Sequence, residues 1–175
     1  MRKLSMVELN RKSVDIFKRS EKVPIVVVLD NIRSMHNVGS VFRTADAFLL
    51  QAVYLCGYTP QPPHRDIHKT ALGATETVDW KYYNLATTAL EELKLTGYKI
   101  FAIEQVENSV ALNKLDVDLS EKICLVFGNE VQVVGEDSLQ LCDECIEIPQ
   151  FGMKHSLNIS VAAGIVLWEL VKQRI

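Results

Sequence analysis

The sequence predicts an α/β fold built on a mostly parallel sheet with helices on both faces. Short, continuous apolar runs such as PIVVVLD (from Pro24) and KICLVFG (from Lys122) recur along the chain, as strands buried on both faces require. Most are separated by stretches of helical periodicity, and strands alternating with helices imply parallel pairing. Around Asp30, Gly128 and Ile148 the apolar runs break into loops rich in Asn, Gly, Ser or Arg. Polar loops on several strand ends are what an open parallel sheet needs to build one site in its carboxyl-end crevice.

The elements follow in order. Ser5 to Ser20 reads as a short helix, with Ser5 and Glu8 as a capping box and Val7, Val14, Ile16 and Phe17 as a partly apolar face. Its other residues include Arg11, Lys12, Lys18 and Arg19, with Lys22 just beyond. A solvated helix face is the simplest reading of such a run; the scarcity of acidic neighbours leaves an RNA-facing extension, 1–22, as the other. PIVVVLD is the first strand of a single domain, 23–175. Asn37 is the expected N-cap of a helix carrying Val41, Phe42, Ala45, Phe48 and Leu49 inward. AVYLCG is the next strand. YTPQPPHRDIHKT, with His64, Arg65, His68 and Lys69, reads as an ordered but irregular loop. Asn84 to Leu95 reads as a helix stopped by Gly97. YKIFAIE, KICLVFG and CIEIP are further strands. The last helix is expected to start near Ser156 and run through Val161, Ile165, Trp168 and Val171.

Composition bounds the function. A net charge of −3 and a pI of about 5.8 mean that any nucleic-acid surface must be a local basic patch. No apolar run approaches the roughly 20 residues of a membrane span, and the amino terminus lacks a signal-peptide pattern. With four cysteines, this predicts reduced thiols in the cytoplasm and no membrane partner. Cys142 and Cys145 form one CxxC with only His155 nearby, too few ligands for structural zinc, so no metal is expected. GxGxxG, GxxxxGK[ST] and HExxH are all absent.

Three constellations carry candidate chemistry. Asn37, Gly39 and Arg43 at a strand-to-helix junction make a cap, a first-turn glycine and a surface arginine. Arg43 nonetheless stands amid Val41, Phe42 and Ala45, where a guanidinium needs an anionic partner, and phosphate suits its fork. Gly128 is either a turn glycine or a point where backbone approaches a ligand, with Glu130 beside it. Ser156 explains itself as an N-cap, whereas the Asn158 amide faces the loops and can bind ribose or phosphate oxygens.

These motifs resemble the SpoU (TrmH-like) family of RNA 2′-O-ribose methyltransferases. The similarity rests on N-x5-N-V-G-x3-R-T from Asn31 to Thr44, G-N-E from Gly128 to Glu130, and I-P-x7-L-N-I-S-V-A-A from Ile148 to Ala163, in the right order. GATETV from Gly73 looks like the family's segment after the second strand. The resemblance implies a SPOUT fold with a carboxyl-terminal trefoil knot, an exception to the unknotted rule. It implies an S-adenosylmethionine pocket with Gly128, Ile148 and Leu157 at the backbone-contact positions, completed by Ile103 and Glu104. It further implies a homodimer with its site near the interface; the last helix, with Leu167, Trp168 and Val171, is the expected interface element.

The reaction implied is methylation of a ribose 2′-hydroxyl. The family's scheme uses Arg43 to activate the hydroxyl with help from phosphate. Because arginine stays protonated, Arg43 is expected to clamp phosphate and stabilise developing oxyanion charge. Asn37, Glu130, Ser156 and Asn158 would orient substrate and loops. Arg11, Lys12, Arg19, Arg65 and Lys69 are the expected RNA contacts. So small a basic surface favours transfer RNA over ribosomal RNA. A catalytically silent RNA-binding relative and an α/β enzyme that binds another nucleotide are the remaining alternatives.

Overall fold

The β-branched run of β1 (Val23–Asp30) occupies the middle of the sheet. The computed structural model describes all residues except 6, 7, 10, 119, 130–132, 155 and 173–175. Its strands are β1, β2 (Leu50–Cys56), β3 (Asp79–Tyr83), β4 (Tyr98–Ile103), β5 (Val110–Ala111), β6 (Lys122–Phe127) and β7 (Glu144–Glu147). They lie in the order β3-β2-β1-β6-β4-β7-β5, and every pairing between them is parallel. The helices are α1 (Val14–Arg19), α2 (Met35–Ala47), α3 (Arg65–Ala71), α4 (Ala74–Thr77), α5 (Ala86–Leu95), α6 (Glu136–Leu139) and α7 (Ile159–Val171).

Alternation along β1 divides the core in two. Ile25, Val27 and Leu29 face one side and join residues of α2 and α7. Val26 and Val28 face the other and join Ala89, Leu90 and Leu93 of α5. Because successive side chains of a strand point to opposite faces, an unbroken apolar run feeds both layers. The order of strands reverses at β1, which has β2 on one side and β6 on the other. Pairing Leu29 with both Leu55 and Phe127, and Ile103 with Ile146, brings the carboxyl ends of these strands to one edge. A crevice forms where the order reverses.

Gly39 permits the tight crossing of α2 and α3. A Cβ there would sit 2.3 Å from the Ile67 carbonyl oxygen and 2.1 Å from Thr70 Oγ1. Thr70 instead donates to the His36 carbonyl at 3.0 Å.

Several boundaries depart from the sequence reading. The first helix is only α1. Its cap is Ser13, whose Oγ accepts the Ile16 N–H at 3.3 Å. The Ser5–Glu8 capping pair does form, with the Ser5 N–H donating to Glu8 at 2.7 Å, but it belongs to a separate turn; Val7 lies outside the described residues. Arg2 pairs with Glu8 there and, with Ser5, holds its carboxyl down to about 2. The cap of α2 is Ser34, not Asn37; its Oγ accepts the Asn37 N–H at 3.3 Å.

The expected irregular loop at His64–Lys69 is mostly α3. The His64 imidazole caps it, accepting the Asp66 N–H at 3.1 Å, and the prolines precede it. α5 begins two residues after Asn84. α7 begins at Ile159 with Asn158 as cap, so Ser156 lies in the loop before it. Leu167 and Val171 are core residues, whereas Val161, Ile165 and Trp168 are exposed. These three form one stripe because positions i, i+4 and i+7 share a helix face.

Candidate active site

Short-range hydrogen bonds first tie the strand ends together. Asn31, directly after β1, adopts a left-handed conformation with φ 57°. Its amide donates to Asp30 Oδ1 at 2.8 Å and accepts the Tyr58 N–H at 3.2 Å. Gly57 makes room, since a Cβ there would lie 2.0 Å from Asn31 Oδ1. Thr59 is buried; its hydroxyl donates to the Leu29 carbonyl at 3.0 Å and accepts the Ile32 N–H at 2.9 Å. The Asn129 amide donates to the Tyr58 hydroxyl at 2.9 Å, bringing in the end of β6. Burial pushes the Asp30 carboxyl up, and the Gly135 backbone N–H partly offsets this. Sequence reasoning missed Tyr58 and Thr59. The signal was a pair of hydroxyl residues just past the second strand, where the argument used for the other strand ends applied equally.

The five positions assigned to a cofactor come together. Ile103, Glu104, Gly128, Ile148 and Leu157 line one cleft at the carboxyl ends of β4, β6 and β7. Phe127 and Ile146 supply apolar wall, and Gln150 and Ser156 supply polar groups at the rim. Apolar walls with a few placed polar groups suit a nucleoside ligand. The Glu104 and Glu147 carboxylates both line the cleft, and Glu104 Oε1 accepts the Gln105 N–H at 3.1 Å. The open space is about 110 Å³, below the roughly 300–1,000 Å³ of small-molecule sites.

Gly128 is also constrained by the chain itself. An added Cβ would lie 2.2 Å from the Val133 carbonyl carbon and oxygen and 2.4 Å from the Val134 nitrogen. The close approach is by the chain's own backbone, which doubles back to form the cleft wall.

Asn37 and Asn158, 121 positions apart, meet directly: the Asn158 amide donates to Asn37 Oδ1 at 3.2 Å. Asn158 Oδ1 also accepts the Ser160 N–H at 2.9 Å and the Ser160 hydroxyl at 2.7 Å. One side chain thus caps α7 and anchors α2. Asn158→Ala should remove all three bonds and cost about 1–2 kcal/mol, lowering the thermal midpoint by roughly 3–6 °C. Asn158→Ser should regain much of the midpoint through its hydroxyl cap, without recovering the anchor to Asn37. Thermal melts of the two variants check this.

Arg43 takes the surface position of its two sequence readings. It is exposed, while Val41, Phe42 and Ala45 turn inward. It lines a shallow cleft with Arg11 and Lys12, separate from the one around Gly128. Among the described residues its guanidinium has no hydrogen bond or ion pair. The nearby Asp46 carboxylate is engaged by the Thr77 hydroxyl. Glu130 lies outside the described residues. Arg19 is exposed on α1, and Arg65 is exposed on α3. Lys69, also on α3, is paired with Asp66 at 2.6 Å.

The CxxC holds two free thiols. Burial pushes Cys142 up to about 12, and Cys142 Sγ contacts the Ser138 carbonyl at 3.2 Å. No group of three potential ligands gathers among the described residues; His155 is outside them. Among the described residues no helix is long and apolar enough to cross a membrane.

Comparison with known proteins points the same way. Residues 24–168 match the model of the SpoU rRNA Methylase family. The chain is 34% identical over 162 residues to the 23S rRNA (guanosine-2′-O-)-methyltransferase RlmB of Neisseria meningitidis, matching 92% of this chain and 63% of that protein. It is 32% identical over 161 residues to the tRNA (guanosine(18)-2′-O)-methyltransferase of Aquifex aeolicus, matching 91% of this chain and 74% of the relative. Among solved structures, the AdoMet-bound rRNA methyltransferase from Sinorhizobium meliloti superposes with a TM-score of 0.80 at 26% identity, covering 94% of this chain and 62% of that one.

Proposed function

We propose, from the premise that the chain belongs to the SpoU family of RNA ribose methyltransferases, that it methylates a ribose 2′-hydroxyl of transfer RNA. The methyl donor is S-adenosylmethionine. The observation that carries the reading is the convergence of Ile103, Glu104, Gly128, Ile148 and Leu157 on one strand-end cleft. Bound S-adenosylmethionine would supply a sulfonium methyl for in-line attack by the ribose 2′-oxygen, the C–S bond breaking to leave S-adenosylhomocysteine and the hydroxyl proton passing to solvent or phosphate. The cleft residues hold the donor, and the Asn37–Asn158 pair fixes the starts of α2 and α7 beside it. Arg43 clamps phosphate and stabilises charge developing on the 2′-oxygen.

One chain by itself does not set Arg43 in the donor cleft, and this supports a homodimer. Arg43 shares the outward face of α2 with Ala47, and α2 packs along α7. The exposed stripe Val161, Ile165 and Trp168 runs along that neighbour, with Phe48 against Trp168 at 6.2 Å between ring centroids. A second copy seated on this face would bury the stripe and bring its own Arg43 toward the first copy's cleft. Residues 1–22 act as a basic extension beside it, since Arg11 and Lys12 already share the Arg43 cleft. The protein works in the cytoplasm with its RNA.

Transfer RNA is favoured because two small basic patches per chain, doubled in a dimer, suit a compact folded RNA held by shape and phosphate. Charge reversal at Lys12, Arg19 and Arg65 together should weaken RNA binding at least tenfold and flatten its salt dependence, with S-adenosylmethionine affinity unchanged. The deciding experiment offers the chain labelled S-adenosylmethionine with bulk transfer RNA or ribosomal RNA, and maps the product nucleoside by mass spectrometry. A 2′-O-methylated transfer RNA is expected. Methylation of ribosomal RNA with transfer RNA inert would overturn the substrate. Tight donor binding with no transfer to any RNA would mark a silent relative.

A further inference from the structure

A third cleft opens over α3, which packs on α2. Its space is about 500 Å³, within the roughly 300–1,000 Å³ of small-molecule sites. Trp80 lines it, half-buried and packed against the core. His64, Arg65, His68, Thr75 and Glu76 complete the polar wall. Among the described residues the side chains of Arg65, His68, Glu76 and Trp80 make no hydrogen bond or ion pair. His64 uses Nδ1 to cap α3, leaving Nε2 for another partner.

We propose that this cleft is a subsite for one unpaired nucleobase bearing an exocyclic amino group, taken from the RNA strand whose ribose is methylated. It rests on the reading of the chain as an RNA methyltransferase and deepens it, because the subsite would set sequence preference. An indole with neighbouring imidazoles is a stacking platform for a base. The Arg65 guanidinium suits the adjoining phosphate. The Glu76 carboxylate disfavours a purely anionic ligand and accepts from an amino group, as carboxylates do from cytosine N4. Uracil offers its N3–H between two carbonyl oxygens, which repel a carboxylate.

Placement supports the same occupant. α3 is locked onto α2 through Gly39 and through the Thr70 hydroxyl on the His36 carbonyl, 3.0 Å. His36 and His64 both lie close enough to Asp66 to draw its carboxyl down, behind the larger effect of Lys69. The exposed residues His36 and Arg43 share the outward face of α2, about 10 Å apart along the axis. An RNA strand held at the His36 end of α2, where Thr70 of α3 bonds the His36 carbonyl, can reach the Trp80 cleft.

The test is fluorine NMR on the full chain labelled with fluorotryptophan. Trp80 and Trp168 give two resonances, assigned with Trp80→Phe, and single-stranded RNA hexamers of adenosine or uridine are titrated in. The adenosine hexamer should shift the Trp80 resonance saturably, at an affinity about tenfold above that of the uridine hexamer. Glu76→Gln, on an exposed side chain, should erase most of that preference, and Arg65→Ala should weaken both hexamers. A Trp80 resonance that stays still while the hexamers bind would overturn the subsite. Equal shifts with both hexamers, unchanged by Glu76→Gln, would overturn its selectivity for an amino group. Methyl transfer to transfer RNA and to ribosomal RNA, assayed in parallel, separates the two ideas: transfer to either with a silent Trp80 removes the subsite alone, and a shifted Trp80 with transfer to neither removes the methyltransferase reading alone.

Discussion

Arg43→Ala is expected to lower methyl transfer by at least on the order of 10³-fold, as removing an arginine that stabilises a transition state does in phosphoryl transfer. S-adenosylmethionine affinity should stay within about threefold, since the effect falls on charge that develops only during transfer. The geometry sharpens the expectation, because Arg43 is exposed and absent from the wall of the donor cleft. Arg43→Lys should fail as well, since a compact ammonium cannot reproduce the planar fork that grips phosphate in two places. Single-turnover transfer at saturating donor and RNA, beside calorimetric donor binding, measures both quantities. Turnover near that of the unaltered chain in either variant would remove Arg43 from the chemistry.

Gly128→Val is expected to reduce S-adenosylmethionine affinity at least 100-fold. A Cβ at this position collides at 2.2 Å with the Val133 carbonyl group, and backbone cannot rotate aside as a side chain can. The wall of the cleft must move, at a cost of about 1–3 kcal/mol in strain. Gly128→Ala should already show most of the loss, which distinguishes this cause from mere filling of ligand space by a branched side chain. RNA affinity should persist, because the basic residues lie elsewhere. A folded Gly128→Ala chain that binds the donor within a few-fold would place the pocket somewhere else. Mixing Gly128→Val with Arg43→Ala chains extends the test to assembly. If each cleft takes Arg43 from its partner, about half the dimers are mixed and each regains one of two sites, so about a quarter of the activity returns. No recovery after verified subunit exchange would mean that Arg43 acts within its own chain.

Much of this was legible in the sequence. Continuous β-branched runs separated by helical patterns specify a parallel α/β sheet, because burial on both faces leaves no polar alternation. β1, β2, β4, β6 and β7 therefore stand where the apolar runs predicted. β3 was not legible, since DWKYY is a short, largely exposed edge strand without that signature. α3 was hidden by the prolines before it and by an imidazole cap, which sequence rules do not weigh.

Asn37, Arg43 and Asn158 announced themselves as polar groups near strand ends, whereas Ile103, Glu104, Ile148 and Leu157 were assigned only through the family resemblance. Their partners were not legible. Asn37 meets Asn158 across 121 positions, and no periodicity encodes so distant a pair. Gly39 read as a first-turn glycine and Gly128 as a turn glycine or a point of ligand approach, yet at both positions backbone passes within 2.4 Å of where a Cβ would sit. Arg43 read either as a surface arginine or as a cation among apolar neighbours, and the rotation of α2 puts it in solvent. The last helix read as one apolar element; only its packing separates Leu167 and Val171 in the core from Val161, Ile165 and Trp168 outside. Local sequence determines which groups are apolar, flexible or charged. Which of them face each other depends on helix rotation and strand order, and these are decided by the packing of the whole chain at once.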